Sequence, residues 1–108
     1  MSYKVVTSPT FEKQAEQLAR KYHSLKADLE VLISQLEENP KMGSPLGRNC
    51  YKVRLAIKSK GRGKSTGGRI ITHVHVIKEL VRLLMIYDKS EKGSLTDDEF
   101  EKLTAGLP

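Results

Sequence analysis

Lys52, Arg54 and Lys58 recur at even spacing through a stretch in which Tyr51, Val53, Leu55 and Ile57 fill the alternate positions. A period of two sends the two sets to opposite faces of a strand. The apolar set can seal a core, and Lys52, Arg54, Ala56 and Lys58 stand on the other face. Between Glu38 and Glu79 there is no Asp or Glu, yet ten of the 19 Lys and Arg fall there. The nine that remain face all 13 carboxylates, so a body of charge −4 surrounds a strongly basic centre, and the net charge of +6 averages the two. Segregation of this kind is the footprint of a polyanion-binding protein, nucleic acid above all. A surface kept basic only for solubility usually mixes both signs.

Other chemistries are less well provided for. His73 and His75 stand two apart, on one strand face with Arg69 and Ile71, but no third ligand or nearby carboxylate completes a metal site. A structural or RNA-facing role suits them better, and no metal or other cofactor is expected. Lys60-Gly61-Arg62-Gly63-Lys64-Ser65 resembles the end of a P-loop, but Lys58 occupies the place of the leading glycine and a strand follows instead of a helix. Cys50 is the single cysteine, so no internal disulfide forms. At the start of a strand it reads as a small buried hydrophobe and not as a nucleophile.

The elements that must position these residues follow in order. Tyr3 to Thr7 is a β-branched run and predicts a strand. Ser8-Pro9 opens a helix, with Ser8 accepting from a free N–H and Pro9 in the first turn. Phe11, Ala15, Leu18 and Tyr22 recur at helical spacing. Ser24 opens a second helix, with Leu25, Leu29, Leu32, Ile33 and Leu36 on one face, and Asn39-Pro40 ends it. The short connection makes a helical hairpin whose leucine seam needs a sheet to cover it. Lys41 to Asn49, rich in Gly and Pro, reads as loop. Strands are predicted at Cys50–Lys58, Arg69–Ile77 and Leu80–Tyr87, the last apolar enough to be covered on both faces. Thr96 and Glu99 form a capping box, flanked by Leu95 and Phe100 at staple positions, and the helix they open stops at Gly106. The order β-α-α-β-β-β-α predicts an α+β domain, with the hairpin on one face of a mainly antiparallel four-stranded sheet.

One hundred and eight residues suit a single domain spanning 1–108. With 38% hydrophobic residues and no long apolar run, neither a membrane span nor a signal peptide is expected. The lone cysteine suits a reducing cytoplasm.

The order of elements, Cys-Tyr-Lys-Val-Arg-Leu from Cys50, the Gly-Gly-Arg-Ile-Ile strand from Gly67 and the Ile-Tyr-Asp-Lys-Ser-Glu segment from Ile86 together resemble the RelE/ParE superfamily of bacterial toxin–antitoxin modules, over nearly the whole chain. The resemblance to the RelE branch implies a ribosome-dependent endoribonuclease that cuts mRNA and stops translation. It also implies a cognate antitoxin that silences it in a hetero-oligomer. Carried over by residue, it puts catalytic cations at Lys52, Arg54 and Arg69. Attack of a ribose 2′-OH on its neighbouring phosphate builds negative charge that fixed cations stabilise. Lys52, crowded by like charge, suits a general base, while Arg54 and Arg69 suit charge stabilisation.

The resemblance departs at the C-terminal side. RelE carries an arginine after its fourth strand and a tyrosine in its tail, where this chain reads Asp88-Lys89-Ser90-Glu91 and has no tyrosine beyond Tyr87. Lys89 is the candidate cation. Tyr87 reads either as a base or stacking platform, or as a core residue ending a buried strand. The long basic loop, with Lys58, Lys60, Arg62 and Lys64, suits ribosomal RNA phosphates, and His73, His75 and Arg82 join that RNA-facing set. Two further readings stay open: inhibition of DNA gyrase, as the ParE branch implies, and an inactive family member that binds only its antitoxin or nucleic acid. An exposed cationic face also suits an acidic, partly disordered partner segment that folds onto it.

Overall fold

A computed structural model of the chain describes residues 2–60 and 67–108. The chain runs β1 (Lys4–Thr7), α1 (Pro9–Lys21), α2 (Leu25–Glu38), β2 (Ser44–Gly47), β3 (Cys50–Leu55), a 3-10 turn (Lys58–Lys60), β4 (Gly68–His75), β5 (Leu80–Asp88) and α3 (Asp97–Thr104). The strands form one mixed sheet in the order β1-β5-β4-β3-β2. Its only parallel pair, among the described residues, is β1 with β5, where Lys4 faces Leu80 and Thr7 faces Leu83. The apolar run at Leu80–Asp88 is therefore a central strand, as its composition requires.

Among the described residues the sheet has five strands where four were expected. The extra one, β2, lies in the Gly/Pro-rich stretch read as loop, and pairs antiparallel with β3 through Ser44–Lys52, Pro45–Tyr51 and Gly47–Cys50. Three successive residues with positive φ, Gly47 (88°), Arg48 (55°) and Asn49 (61°), turn the chain back within that short space. Gly and Asn take this conformation readily and an arginine does so seldom, so the turn was poorly marked in the sequence. Pro45 is tolerated because β2 is an edge strand. The strand predicted to reach Lys58 stops at Leu55, and the one predicted to reach Ile77 stops at His75, leaving Ile77 91% exposed in the turn to β5.

Two apolar layers flank the sheet. On one face Leu25, Leu32 and Leu36 of α2 and Phe11 and Leu18 of α1 pack on Val53, Leu55, Ile70, Val81, Leu83 and Ile86, with Leu29 and Ile33 partly buried beside them. The leucine seam thus meets the sheet it required. On the other face Cys50, Ile71, Leu84 and Tyr87 pack with Met85, Leu95, Phe100 and Leu103. α3 therefore covers part of the face that carries Lys52 and Arg54. Its start matches the sequence: the Thr96 hydroxyl accepts from Glu99 N and the Glu99 carboxylate accepts from Thr96 N. Ser8 accepts from Phe11 N at 3.0 Å, as expected of a helix cap. Ser24 does not cap α2. Its hydroxyl instead donates to Asp28 and accepts from Ser59 N at 2.8 Å, and Asp28 accepts from Lys58 N, so the 3-10 turn is stitched to the start of α2.

A second stitch lies at Asp88, whose side chain is fully buried at the end of β5. It accepts from Tyr22 Oη (2.7 Å), Lys60 Nζ (2.7 Å), and Ser90 Oγ (2.7 Å) and N (3.0 Å). Burial works against the charge, but the bonds from Lys60, Tyr22 and Ser90 outweigh it and hold the carboxyl well below the usual carboxylate range. Asp88→Ala leaves Lys60 and Tyr22 without this partner, and is expected to cost about 3 kcal/mol in urea unfolding at pH 7. Because the folded-state proton affinity is depressed, the stabilisation is fully present above about pH 5 and drains away as pH falls toward the folded value. Asp88→Asn should flatten that acid slope, and an unchanged slope would show that Asp88 does not set it.

Candidate nucleic-acid interface

Strand register decides which cations share a face. Arg54 lies opposite Arg69 on β4, and Arg69 lies opposite Tyr87 on β5, so the three form one row across the sheet. Lys52, two residues earlier on β3, heads the next row with Ile71 and Met85. His73 and Arg82 form a third row with Cys50. Lys52, Arg54, Arg69 and Tyr87 therefore share one sheet face, opposite the helical hairpin. Two guanidinium-bearing residues directly across from one another repel and detract from the sheet's stability.

Accessibility divides the group. Arg54 is exposed and Lys52 half-buried, and among the described residues neither makes an ion pair. Lys58 is likewise exposed, at the start of the 3-10 turn that follows β3, and its backbone N–H donates to Asp28. Arg69 is only 5% exposed, and its Nη1 donates to the Gly68 carbonyl at 3.0 Å. Tyr87 is 7% exposed, and its hydroxyl finds no hydrogen-bond partner among the described residues. Burial pushes its phenol up, against the pull of Arg69 and Lys92. Tyr87 is thus placed as a core residue ending a buried strand, one of its two sequence readings, the other being a base or stacking platform. Lys89 hydrogen-bonds through Nζ to the Gly93 carbonyl.

Three expectations need correction. Lys60 does not stand clear for RNA: its ammonium bonds Asp88 and Ser90, and lies 5.5 Å from the centre of the Tyr22 ring. His73 is 1% exposed, and its Nε2 meets the Pro108 carbonyl oxygen at 3.2 Å, so it underlies the C-terminal residues and presents nothing to a polyanion. Burial lowers its proton affinity, and a cation there would be poorly placed. The basic centre, free of carboxylates in sequence, is also not free of them in space. Asp88 reaches Lys60 and Glu101 reaches Arg48, both from the far side of the acid-free stretch. His75 is half-buried, with Nδ1 3.5 Å from Arg82 Nη1, so that pair lies at the far end of the same face. Arg62 and Lys64 lie outside the described residues. Among the described residues no three His, Cys, Asp or Glu side chains gather as metal ligands.

No local pattern marks the Asp88 cluster or the pair Lys92–Glu99 (2.7 Å), because each joins residues far apart along the chain or across the turn after β5. Cys50 follows its sequence reading. It is 1% exposed, and burial pushes its thiol up to about 11 despite the nearby Arg48. A thiol reagent at pH 8 should therefore modify Cys50 only at the rate at which the native state opens. Fast modification under native conditions, followed by absorbance, would contradict that placement.

No family model matches the sequence. Solved structures do match. A double-arginine mutant of the E. coli toxin RelE in the free state superposes with a TM-score of 0.68 at 16% identity, covering 100% of both chains. A chain of the intact E. coli RelBE toxin–antitoxin complex gives 0.63 at 19% identity, covering 81% of this chain and 96% of that one. A chain of the RelBE2 toxin–antitoxin complex of Mycobacterium tuberculosis gives 0.60 at 22% identity, covering 82% and 99%. Among the described residues no helix is long and apolar enough to cross a membrane. With three helices on a five-stranded mixed sheet and full-length superposition on free RelE, the chain has the RelE-like toxin fold.

Proposed function

We propose that the protein is the toxin of a toxin–antitoxin pair, and that it cleaves mRNA on the ribosome without a metal ion. The observation that carries this reading is the face on which Lys52 and Arg54 stand accessible, next to Arg69, on a fold like that of RelE. In the proposed reaction the ribose 2′-oxygen bonds to phosphorus as the bond from phosphorus to the 5′-oxygen breaks. The 2′-hydroxyl proton passes to Lys52 as general base, and the departing 5′-oxygen takes a proton from solvent water. The products are a 2′,3′-cyclic phosphate and a 5′-hydroxyl. Arg54 and Arg69 balance the charge that grows on the phosphoryl oxygens, and such groups are worth about 3 kcal/mol each in comparable sites.

Lys58 extends the same basic surface toward ribosomal RNA, where shape and charge are read and sequence is not. The solved complexes that this chain resembles contain antitoxins, and an acidic partner segment suits the exposed cations. Its binding is expected to weaken as salt rises.

Induced expression should stop translation and leave cut mRNA ends that primer extension detects. Lys52→Ala and Arg54→Ala should each lower cleavage by about 100-fold. Thermal stability should change little, because both side chains reach solvent and Arg54 opposes Arg69. Intact mRNA together with loss of DNA supercoiling would replace this reading with gyrase inhibition. Full activity in both variants would remove the cation face from the mechanism.

A further inference from the structure

We propose that the cleft between α2 and the bare edge of β3 is a pocket for the base of a nucleotide, and that Asp28 makes it choose a base carrying an amino group. Pairing of β3 with β2 ends at Lys52, opposite Ser44, so beyond that residue β3 has no strand on its outer side among the described residues. There α2 and β3 leave a cleft of about 220 Å3 between them. Asp28, Val31, Leu32 and Gln35 form its helical wall, at spacings of three, four and seven residues that put them on one helix face. Arg54, Ala56 and Lys58 line the side of the strand and the turn after it. Arg54 also belongs to the row with Arg69, so the cleft borders the cation face.

Asp28 is the informative residue. It is 6% exposed, and only one of its carboxylate oxygens is used: Oδ2 accepts from Ser24 Oγ at 2.7 Å and from Lys58 N at 3.0 Å. Oδ1 makes no hydrogen bond or ion pair among the described residues, yet it is not one of the unpartnered polar atoms shut off from solvent. It therefore reaches solvent, and the open space that Asp28 borders is this cleft. Val31 is 56% exposed on the same wall, an apolar surface on which a flat ring can rest. Arg54 and Lys58 add exposed cations. A basic side chain would meet Asp28 but be repelled by these cations, and a bare phosphate would be repelled by Asp28. A nucleotide satisfies all three features, with its phosphate toward the cations and its base against Val31. A carboxylate oxygen accepts and does not donate. It favours the amino group of cytosine or adenine over the carbonyl that uracil presents in that place.

That the nucleotide is part of an RNA strand rests on the function proposed above, whereas the choice of base stands without it. Calorimetric titration of the whole protein at low salt with cytidine 3′-phosphate and with uridine 3′-phosphate isolates that choice. The cytidine compound should bind about 10-fold tighter. Asp28→Asn can still accept from Ser24 and Lys58 through its amide oxygen, and puts an amide N–H where Oδ1 was, so it should turn the preference toward uridine. Val31→Asp, at an exposed position, should weaken binding of both compounds with little change in melting temperature. Should Asp28→Asn fail to fold, the unmodified protein and Val31→Asp still decide the matter. Equal affinity for the two compounds, no binding of either, or binding indifferent to Val31→Asp overturns the proposal. A deoxyuridine hexamer with or without one central deoxycytidine, which cannot be cut by 2′-oxygen attack, separates the sources of the ligand. A preference between the hexamers assigns the pocket to a nucleic-acid strand, and a preference between mononucleotides alone assigns it to a free nucleotide. If the cytidine preference holds while ribosome-bound mRNA is left intact, the nuclease reading falls and the pocket stands. Cut mRNA with no preference removes the pocket and leaves the nuclease reading.

Discussion

The fold closes around one buried carboxylate. Asp88 ends the central strand, and through Tyr22, Lys60 and Ser90 it ties the end of α1, the 3-10 turn and the segment leading to α3 to a single point. Such a group is expensive to bury and becomes tolerable only when each oxygen is answered, as both are here. The bonds are directional, so the arrangement selects one geometry for the chain ends that meet there. The stitch from Asp28 and Ser24 to Lys58 and Ser59 fixes the other side of the same turn. The strand bearing Lys52 and Arg54 is thus anchored where it leaves the sheet.

The cation face is a departure from what stability alone would select. Arg54 and Arg69 confront one another across β3 and β4, in a register that neighbouring Val53–Ile70 and Lys52–Ile71 pairs enforce. Ile70 and Ile71 are fully buried on opposite faces, so a slip by one residue would turn both layers inside out. Packing thus fixes Arg54 and Arg69 opposite one another across the two strands. Two other cations of the same region are paired with carboxylates. Lys60 has Asp88, and Arg48 has Glu101. Within one basic region some charges serve the fold and others remain accessible.

Local chemistry was the readable part of the sequence. Ser8-Pro9, the Thr96–Glu99 box, the leucine seam of α2 and the apolar run of β5 each act over a few residues, and each stands where its pattern put it. β2 escaped because four residues, Ser-Pro-Leu-Gly, carry no alternation, and because its turn uses an arginine at positive φ. The error over Lys60 was of another kind. A stretch without acids in sequence still has acidic neighbours in space: Asp88 lies 28 positions from Lys60 along the chain and 2.7 Å from it in the fold. The burial of His73 under the C-terminal residues had no local signature either, since alternation gives the face of a strand and not what covers it. On the site face, period two sorted Lys52 and Arg54 from Val53 and Leu55. It could not tell that Arg69 would be buried and Arg54 exposed.

The parallel pairing of β1 with β5 bears on how the molecule comes into being. Lys4 must find Leu80, so the first strand waits for nearly the whole chain before it has a neighbour. Contacts of such long separation are slow to form and leave the helical hairpin without its sheet in the meantime. During synthesis the row from Arg54 to Tyr87 does not exist until the fifth strand has cleared the exit tunnel.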